Sequence, residues 1–171
     1  MARKIFLPLL IIYIFIFPVL SFYIPIKKIF FGYIFIFKDI IFIFSSVIFN
    51  LIIIVNVLLK GFWGRARPND ILELGGKDIF SAWFKYSDAC SANCSFVSGD
   101  ASVGFSLIVL YLITKKRLFF WLSLLSGITL GAVRITEGGH FLSDILMSGL
   151  IIYFLSFTQF QIYNKSFKCE H

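Results

Sequence analysis

Three residues near the end of the chain, Arg134, His140 and Asp144, have types and spacings that could support chemistry on an anionic substrate. If His140 and Asp144 lie one helical turn apart, the carboxylate can hydrogen-bond one imidazole nitrogen and leave the other free to attack as a nucleophile. Arg134, six positions before His140, supplies a fixed positive charge for an anionic group. The alternative interpretation is a structural loop histidine that a nearby acid satisfies.

The composition predicts an integral membrane protein. The chain has 171 residues, of which 59% are hydrophobic and 19% aromatic. A soluble domain of this length cannot bury so much apolar surface. The net charge is +7, but the basic residues stand at the ends of apolar runs and form no stripe with aromatic residues. The sequence therefore predicts no nucleic-acid partner.

Five apolar segments are long enough for membrane-spanning helices, because about 20 apolar residues cross the hydrocarbon core. They cover residues 5–26, 40–59, 98–113, 118–133 and 141–157. A sixth run, residues 29–37, is too short to cross and is expected at the interface or as an extension of a neighbouring helix. Continuous apolar runs favour helices over a barrel. The prediction is an all-α membrane bundle forming a single domain over residues 1–171.

Basic residues predict the orientation, because they concentrate in cytoplasmic connections. They cluster at Lys27, Lys28 and Lys38, at Lys115, Lys116 and Arg117, and at Lys165 and Lys168. With five spans these clusters share the cytoplasmic side, and the loop 61–97 and the turn 135–139 lie together on the other side. Arg3 and Lys4 fall on that other side, against the rule. The first segment is expected to be a retained span, because it is long and lacks a clear cleavage site.

The polar loop begins with cations and ends at a small-residue sequence. Lys60, Arg65 and Arg67 fall within eight residues. Snorkelling side chains are one interpretation, but this side should be poor in positive charge and rigid Pro68 fixes Arg67, so anion binding is favoured.

At the other end of the loop, Ser98, Gly99 and Asp100 open directly into the third segment. Small residues and free amides at a helix start form a seat for phosphate. Helix capping by Ser98 or Asp100 is the alternative, and it is compatible with phosphate binding.

The start of the loop, its end and the Arg134–Asp144 stretch together resemble the three signatures of the type-2 phosphatidic acid phosphatase (PAP2) superfamily. These signatures read Lys-x6-Arg-Pro, Pro-Ser-Gly-His and Ser-Arg-x5-His-x3-Asp. The chain has Lys60-x6-Arg67-Pro68, Val97-Ser98-Gly99-Asp100 and Val133-Arg134-x5-His140-x3-Asp144. The first and third match at every charged position, whereas the second departs at Val97 and Asp100. The resemblance covers roughly residues 60–150 and implies a PAP2-like helical bundle.

The resemblance implies phosphate removal without metal or cofactor, through a phosphohistidine. By position, His140 is the nucleophile and Asp144 its orienting partner. The implied phosphate-binding residues are Lys60, Arg67, Ser98, Gly99 and Arg134. Asp100 occupies the place of a histidine that protonates the leaving group, which a carboxyl can do only when it is itself protonated. If Asp100 stays ionised, it merely orients Arg67 or Lys60.

The departure at Asp100 is similar to the lipid A 4'-phosphatase branch of the superfamily, as are Cys90-x3-Cys94 and Gly138-Gly139-His140-Phe141. Members of that branch usually have one more N-terminal span, so the chain is expected to lack the family's first span. The implied function is removal of the 4'-phosphate of lipid A at the periplasmic face of the bacterial inner membrane.

Two alternatives stay open for the function. One is a phosphatase of the same superfamily acting on undecaprenyl pyrophosphate or a phosphatidyl phosphate. The other is a non-catalytic binder of lipid phosphates. The expected partners are a phosphorylated lipid and the bilayer, and no obligate protein partner is evident.

Cys90 and Cys94 both lie in the outer loop. A periplasm-like compartment permits a disulfide between them, and the resulting ring is small. Zinc binding is not favoured, because no histidine is near and two thiolates are too few ligands.

Overall fold

In the computed structural model, residues 36–168 are described without interruption, preceded by residues 8–9, 11–12, 14–16 and 19–20. The described chain is helical, and its only β-type feature is an isolated bridge between Ile71 and Asp78. Helix α1 covers Phe37–Phe62 and is wound as a π-helix over Phe49–Leu59. The remaining helices are α2 (Gly99–Phe105), α3 (Ile108–Thr114), α4 (Arg117–Thr136) and α5 (Leu142–Lys168). Two short 3-10 turns, Pro68–Asp70 and Leu72–Leu74, lie in the loop after α1.

Three described helices are long and apolar enough to cross a membrane: Phe37–Phe62, Arg117–Thr136 and Leu142–Ser166. They correspond to the predicted second, fourth and fifth spans and extend beyond the predicted ends. Most of the predicted first span and most of the short run 29–37 lie outside the described residues.

The predicted third span is not one continuous helix. It consists of α2 and α3, and together Gly99–Thr114 is shorter than the three long helices. Between them the hydrogen bonds tighten to the i→i+3 pattern, as in Leu107 N to Gly104 O at 3.4 Å and Val109 N to Ser106 O at 3.1 Å.

Hydroxyl groups of α4 bind the backbone where α2 ends. Ser123 Oγ donates to Phe105 O at 2.7 Å, and Ser126 Oγ donates to Gly104 O at 3.0 Å. A Cβ atom on Gly104 would lie 2.5 Å from the Gly127 nitrogen, so the two backbones meet directly. This crossing follows the small-residue packing of membrane helices, in which close approach and serine hydrogen bonds hold the pair together.

The outer faces of the long helices carry large exposed apolar side chains. Trp121 and Leu125 on α4 are 55% and 60% exposed, and Leu150 and Phe154 on α5 are 64% and 72% exposed. Contiguous apolar surface of this kind suits lipid rather than water.

The bundle has two chemically different ends. At the first, Tyr163 OH donates to Asp39 at 2.8 Å, and Lys115 Nζ lies 4.1 Å from the centre of the Phe160 ring. Partial burial lowers the pKa of Lys115, and the ring face compensates part of the lost hydration. We call this the basic end, because Lys38, Lys116, Arg117 and Lys165 also belong to the helix ends gathered there. The end of α1, the starts of α2 and α5 and the end of α4 lie at the opposite end of the bundle.

Candidate functional site

The sequence-predicted polar residues gather at the end of the bundle opposite the basic end. Lys60 closes α1, Asp100 lies in the first turn of α2, and Arg134 lies in the last turn of α4. His140 lies two residues before α5, and Asp144 lies in the first turn of α5. The loop between α1 and α2 packs over these helix ends and contributes further contacts.

His140 is buried, with 2% of its surface exposed. Its Nδ1 lies 2.7 Å from the carbonyl oxygen of Ser95. Because a carbonyl only accepts, this contact requires the proton on Nδ1. The Nε2 atom then carries a lone pair, and it has no hydrogen-bond partner among the residues that the structure describes. The ring is therefore held in the tautomer that a nucleophilic Nε2 needs.

Asp144 does not hydrogen-bond the imidazole, contrary to the expectation from the i, i+4 spacing. Its Oδ2 lies 3.8 Å from His140 Nδ1, which is within ion-pair range but too long for a hydrogen bond. The carboxylate is fully buried and already accepts from other donors. These are Ser95 Oγ at 2.5 Å, the Phe141 amide at 2.9 Å and the Arg65 guanidinium. Asp144 is therefore connected to His140 through hydrogen bonds of Ser95 and not by a direct hydrogen bond.

Arg65 is the ion-pair partner of Asp144, a role that the sequence analysis did not anticipate. Only 2% of Arg65 is exposed. Its Nε donates to Ser81 O at 2.9 Å, its Nη1 donates to Ser143 Oγ at 2.9 Å, and its guanidinium carbon lies 4.1 Å from the centre of the Phe141 ring. The sequence showed Arg65 only as one of three loop cations, because its partner is 79 residues away.

Lys60 and Arg67 meet at Asn93, another residue that sequence reasoning missed. Arg67 donates to the Asn93 carbonyl oxygen from Nε at 3.2 Å and from Nη2 at 2.8 Å. Lys60 Nζ lies 3.4 Å from Asn93 Oδ1. Asn93 has a left-handed backbone, with φ of 52°. It lies inside the ring closed by a disulfide between Cys90 and Cys94, whose Cα atoms are 5.6 Å apart.

Asp100 contacts Arg134, with Oδ2 3.3 Å from Nε. The sequence analysis considered Arg67 and Lys60 as partners of Asp100 but not Arg134. The charge of Asp100 also acts on Lys60. Arg134 pairs in addition with Glu137. The Arg134 Nε is buried, and within the described chain its contact with Asp100 lacks good hydrogen-bond geometry.

The glycine pair before His140 makes room for the Arg134 side chain. A Cβ atom on Gly139 would lie 2.5 Å from Arg134 Nη2. Gly138 has a positive φ of 64°, which favours glycine. The turn is tied to the loop by hydrogen bonds from the Asn69 amide to Gly138 O at 3.2 Å and from Asn69 Nδ2 to Glu137 O at 2.9 Å.

Ser98 caps α2 and is fully buried. Its Oγ accepts from the Ala101 amide at 3.5 Å, so the capping interpretation agrees with the structure. Gly99 allows close approach of Lys60, since a Cβ atom there would lie 3.1 Å from Lys60 Nζ. Lys60 thus lies over the start of the helix where the phosphate seat was predicted.

A cavity of about 440 Å³ opens beside these residues. Its lining includes Arg67, Asn69, Asn93, Arg134 and Gly139. Asp70 and Glu137 also line it, so the cavity carries charges of both signs, and it adjoins the loop that carries His140. Within the described ranges, no three His, Cys, Asp or Glu residues are grouped as a metal site would require.

Comparisons with known proteins agree with the sequence signatures. The model of the PAP2 superfamily matches residues 39–168. The lipid A 4'-phosphatase of Francisella tularensis subsp. novicida is 40% identical over 105 residues, which are 59% of this chain and 47% of that protein. The lipid A 4'-phosphatase of Rhizobium leguminosarum is 33% identical over 123 residues, covering 67% of this chain and 53% of that protein. The chain thus spans about half the length of the curated relatives that it matches. No solved structure matches it significantly.

Proposed function

The chain belongs to the PAP2 superfamily, and from this premise we propose that it is a membrane phosphatase that hydrolyses a phosphomonoester of a lipid. The proposed substrate is lipid A, with removal of its 4'-phosphate. This choice is supported by the two relatives described above and by Asp100 in the second signature. The proposed location is the inner membrane of a bacterium, with the site facing the periplasm.

The observation that carries the proposal is the tautomer of His140. With the Nδ1 proton donated to Ser95 O at 2.7 Å, Nε2 is the nitrogen that can attack phosphorus. In the proposed first step the Nε2–P bond forms and the P–O bond to the sugar breaks. In the second step water attacks the phosphohistidine, the N–P bond breaks, and inorganic phosphate leaves. Asp144, 3.8 Å from Nδ1, stabilises the positive charge that the ring carries between the two steps.

Lys60, Arg67 and Arg134 are proposed to bind the phosphate oxygens. Asn93 holds the first two near each other, and the third presents a buried Nε without a well-formed hydrogen bond in the described structure. Three positive charges around a dianion stabilise both the bound ester and the charge that develops during transfer. Ser98 and Gly99 supply the helix start over which the Lys60 ammonium lies.

Asp100 is the proposed acid for the leaving group. When it is protonated, it can give its proton to the departing sugar oxygen and then take one back from the attacking water. This role is supported by the 3.3 Å distance between its Oδ2 and Nε of Arg134, which is itself proposed to bind the phosphate. The alternative is that Asp100 only holds the guanidinium in place.

Detection of the phosphohistidine tests the proposal directly. The purified protein in detergent is incubated with ³²P-labelled lipid A in the presence of EDTA and quenched in base, in which phosphohistidine is stable. We expect label on the peptide containing His140 and release of inorganic phosphate. In His140→Ala the label should vanish and the rate should fall by at least about a thousandfold. His171→Ala, which changes the only other histidine, is the matched control and should retain both.

Equal phosphate release by His140→Ala and the wild type would overturn the mechanism, as would loss of activity in EDTA. Lipid binding without release by either protein would favour the non-catalytic binder. Mass spectrometry of the product separates removal of the 4'-phosphate from removal of the other phosphate. Undecaprenyl pyrophosphate and phosphatidyl phosphate, supplied in parallel, test the alternative substrates.

A further inference from the structure

We propose that Arg65 and Ser95 are positioning residues for His140, and that they act as one unit with Asp144. The inference rests on the proposed function, because it assigns these residues to the step in which His140 attacks. Neither residue belongs to the three signatures, and neither is placed to touch phosphate by the contacts described above.

The contacts form a continuous path from Arg65 to the imidazole. The Arg65 guanidinium pairs with Asp144, the Asp144 carboxylate accepts from Ser95 Oγ at 2.5 Å, and the Ser95 carbonyl accepts from His140 Nδ1 at 2.7 Å. Arg65 also holds Ser95 directly, because its carbonyl oxygen accepts from the Ser95 amide at 2.8 Å. Ser95 is therefore fixed through both its backbone and its side chain.

Burial makes this path rigid. Asp144 and Ser95 are fully buried and Arg65 is 2% exposed. The guanidinium is further held by Ser81 O and by the Phe141 ring. A buried carboxylate without its cation is strongly unfavourable, so Asp144 keeps its position only while Arg65 is present. The orientation of the Ser95 carbonyl, and with it the His140 tautomer, depends on that pair.

The path also explains why Asp144 matters without touching the ring. At 3.8 Å it cannot fix the tautomer itself. Asp144 instead holds Ser95, and the Ser95 carbonyl oxygen accepts from His140 Nδ1 and so fixes the tautomer. Supporting contacts of this kind around a reactive histidine commonly change activity by about 10–100-fold when removed.

Kinetics of substituted proteins provide the first test. For Ser95→Ala and Arg65→Gln we expect kcat for phosphate release from lipid A to fall by about 10–100-fold, while KM changes by less than about twofold. Arg65→Lys should recover part of the loss, because it restores the charge but not the forked geometry. Ser123→Ala is the matched control, since Ser123 is equally buried but bonds the α2 backbone. It should keep the wild-type kcat.

A double-mutant cycle separates a positioning role from general destabilisation. If Arg65 acts through Asp144, Arg65→Gln should cause no further loss of kcat in an Asp144→Asn background. If the double variant instead loses kcat by the product of the two single effects, the proposal is wrong. If Arg65→Gln does not fold, Ser95→Ala decides the question, and an unchanged kcat in that variant would overturn the proposal.

Nitrogen-15 NMR of histidine-labelled protein reads the tautomer without any substrate, in a His171→Ala background that leaves one histidine. The wild-type ring should show the proton on Nδ1, and Ser95→Ala and Arg65→Gln should show a mixture of both tautomers. An unchanged tautomer in both variants would sink the inference even if phosphate release is confirmed. If instead the wild type forms no phosphohistidine, the proposed function fails, while the tautomer measurement still reports on the contacts.

Discussion

Asp100 is the charged residue at which this site departs from the superfamily signatures, and it lies beside Arg134, which matches them. An aspartate replaces the histidine of the second signature, and its Oδ2 lies 3.3 Å from Nε of Arg134, the arginine proposed to bind phosphate. The carboxylate cancels part of the local positive charge and holds the guanidinium before substrate arrives. A phosphate bound as proposed would share Arg134 with Asp100.

Substitution of Asp100 tests its role as the acid. Asp100→Asn cannot donate a proton, so its kcat should fall by about 10²–10⁴-fold. Asp100→His should remain active and extend to higher pH, because an imidazolium keeps its proton to higher pH than a carboxylic acid does. The measurement is kcat against pH with lipid A in detergent. Asp70→Asn, an exposed acid that lines the same cavity, should behave as wild type.

Full activity of Asp100→Asn across the pH range would contradict the acid role and leave Asp100 as an orienting partner of Arg134. In that case a rise in KM alone is the expected effect, since only binding of the phosphate would suffer.

The sequence predicts those site residues that follow a local rule. His140 and Asp144 were singled out because they are four positions apart, and Lys60 and Arg67 because six residues separate them and Pro68 follows Arg67. Arg65, Ser95 and Asn93 were missed as site residues because their contacts join distant segments. Ser95 meets Asp144 across 49 positions, and Arg65 meets it across 79. Only the packing of the loop on the bundle creates those contacts.

At the scale of elements, the small loop closed by Cys90 and Cys94 positions two cations of the site. Asn93 within it accepts from Arg67 through its carbonyl and from Lys60 through its side chain. The ring restricts the conformations open to Asn93, and so lowers the entropy lost when the two cations are brought together. We therefore expect the loop to support phosphate binding more than the chemical step.

Removal of the disulfide should therefore weaken binding more than turnover. For the double variant Cys90→Ser/Cys94→Ser we expect KM for lipid A to rise about tenfold, equivalent to about 1.4 kcal/mol, with kcat within about threefold of wild type. A reductant added to the wild type should reproduce this change and have no effect on the double variant. Cys169→Ser, the remaining cysteine, serves as control. An unchanged KM in the double variant would show that Asn93 is held without the disulfide.

The broken third segment illustrates what the apolar pattern could not predict. Residues 98–113 were predicted as one span, although Gly104 and Ser106 stand where α2 and α3 divide. The break coincides with serine hydroxyls from α4, which donate to the backbone carbonyl oxygens of Phe105 and Gly104. The three other described segments were predicted as spans from their length and hydropathy, and each is a long apolar helix in the structure.

At the scale of the whole molecule, positive charges occupy both ends but serve different purposes. Those of the basic end are on exposed helix ends, where they suit the cytoplasmic interface. Four cations of the site end are partly or fully buried and contact Asn93, Asp100 or Asp144; they are Lys60, Arg65, Arg67 and Arg134. The two ends should therefore lie on opposite sides of the membrane, with the site outside.

Cysteine labelling in spheroplasts checks this orientation. In a Cys169→Ser background, Asp70→Cys should react with an impermeant maleimide added from outside. Lys116→Cys should react only after the membrane is permeabilised. Both positions are exposed, so lack of reaction reflects sidedness. Reaction of Lys116→Cys in intact spheroplasts, with Asp70→Cys silent, would invert the topology and exclude a periplasmic site.

The close crossing of α2 and α4 has a consequence for biogenesis. The Gly104 and Phe105 carbonyls at the end of α2 receive hydroxyl protons from α4, whose first residue follows α3 closely in the chain. Backbone groups that lack partners are costly in hydrocarbon. A nascent chain that stopped before α4 would leave a short, divided segment facing lipid with those groups less well satisfied. Residues 99–136 should consequently enter the bilayer together, as one helical hairpin delivered to the membrane in a single insertion event.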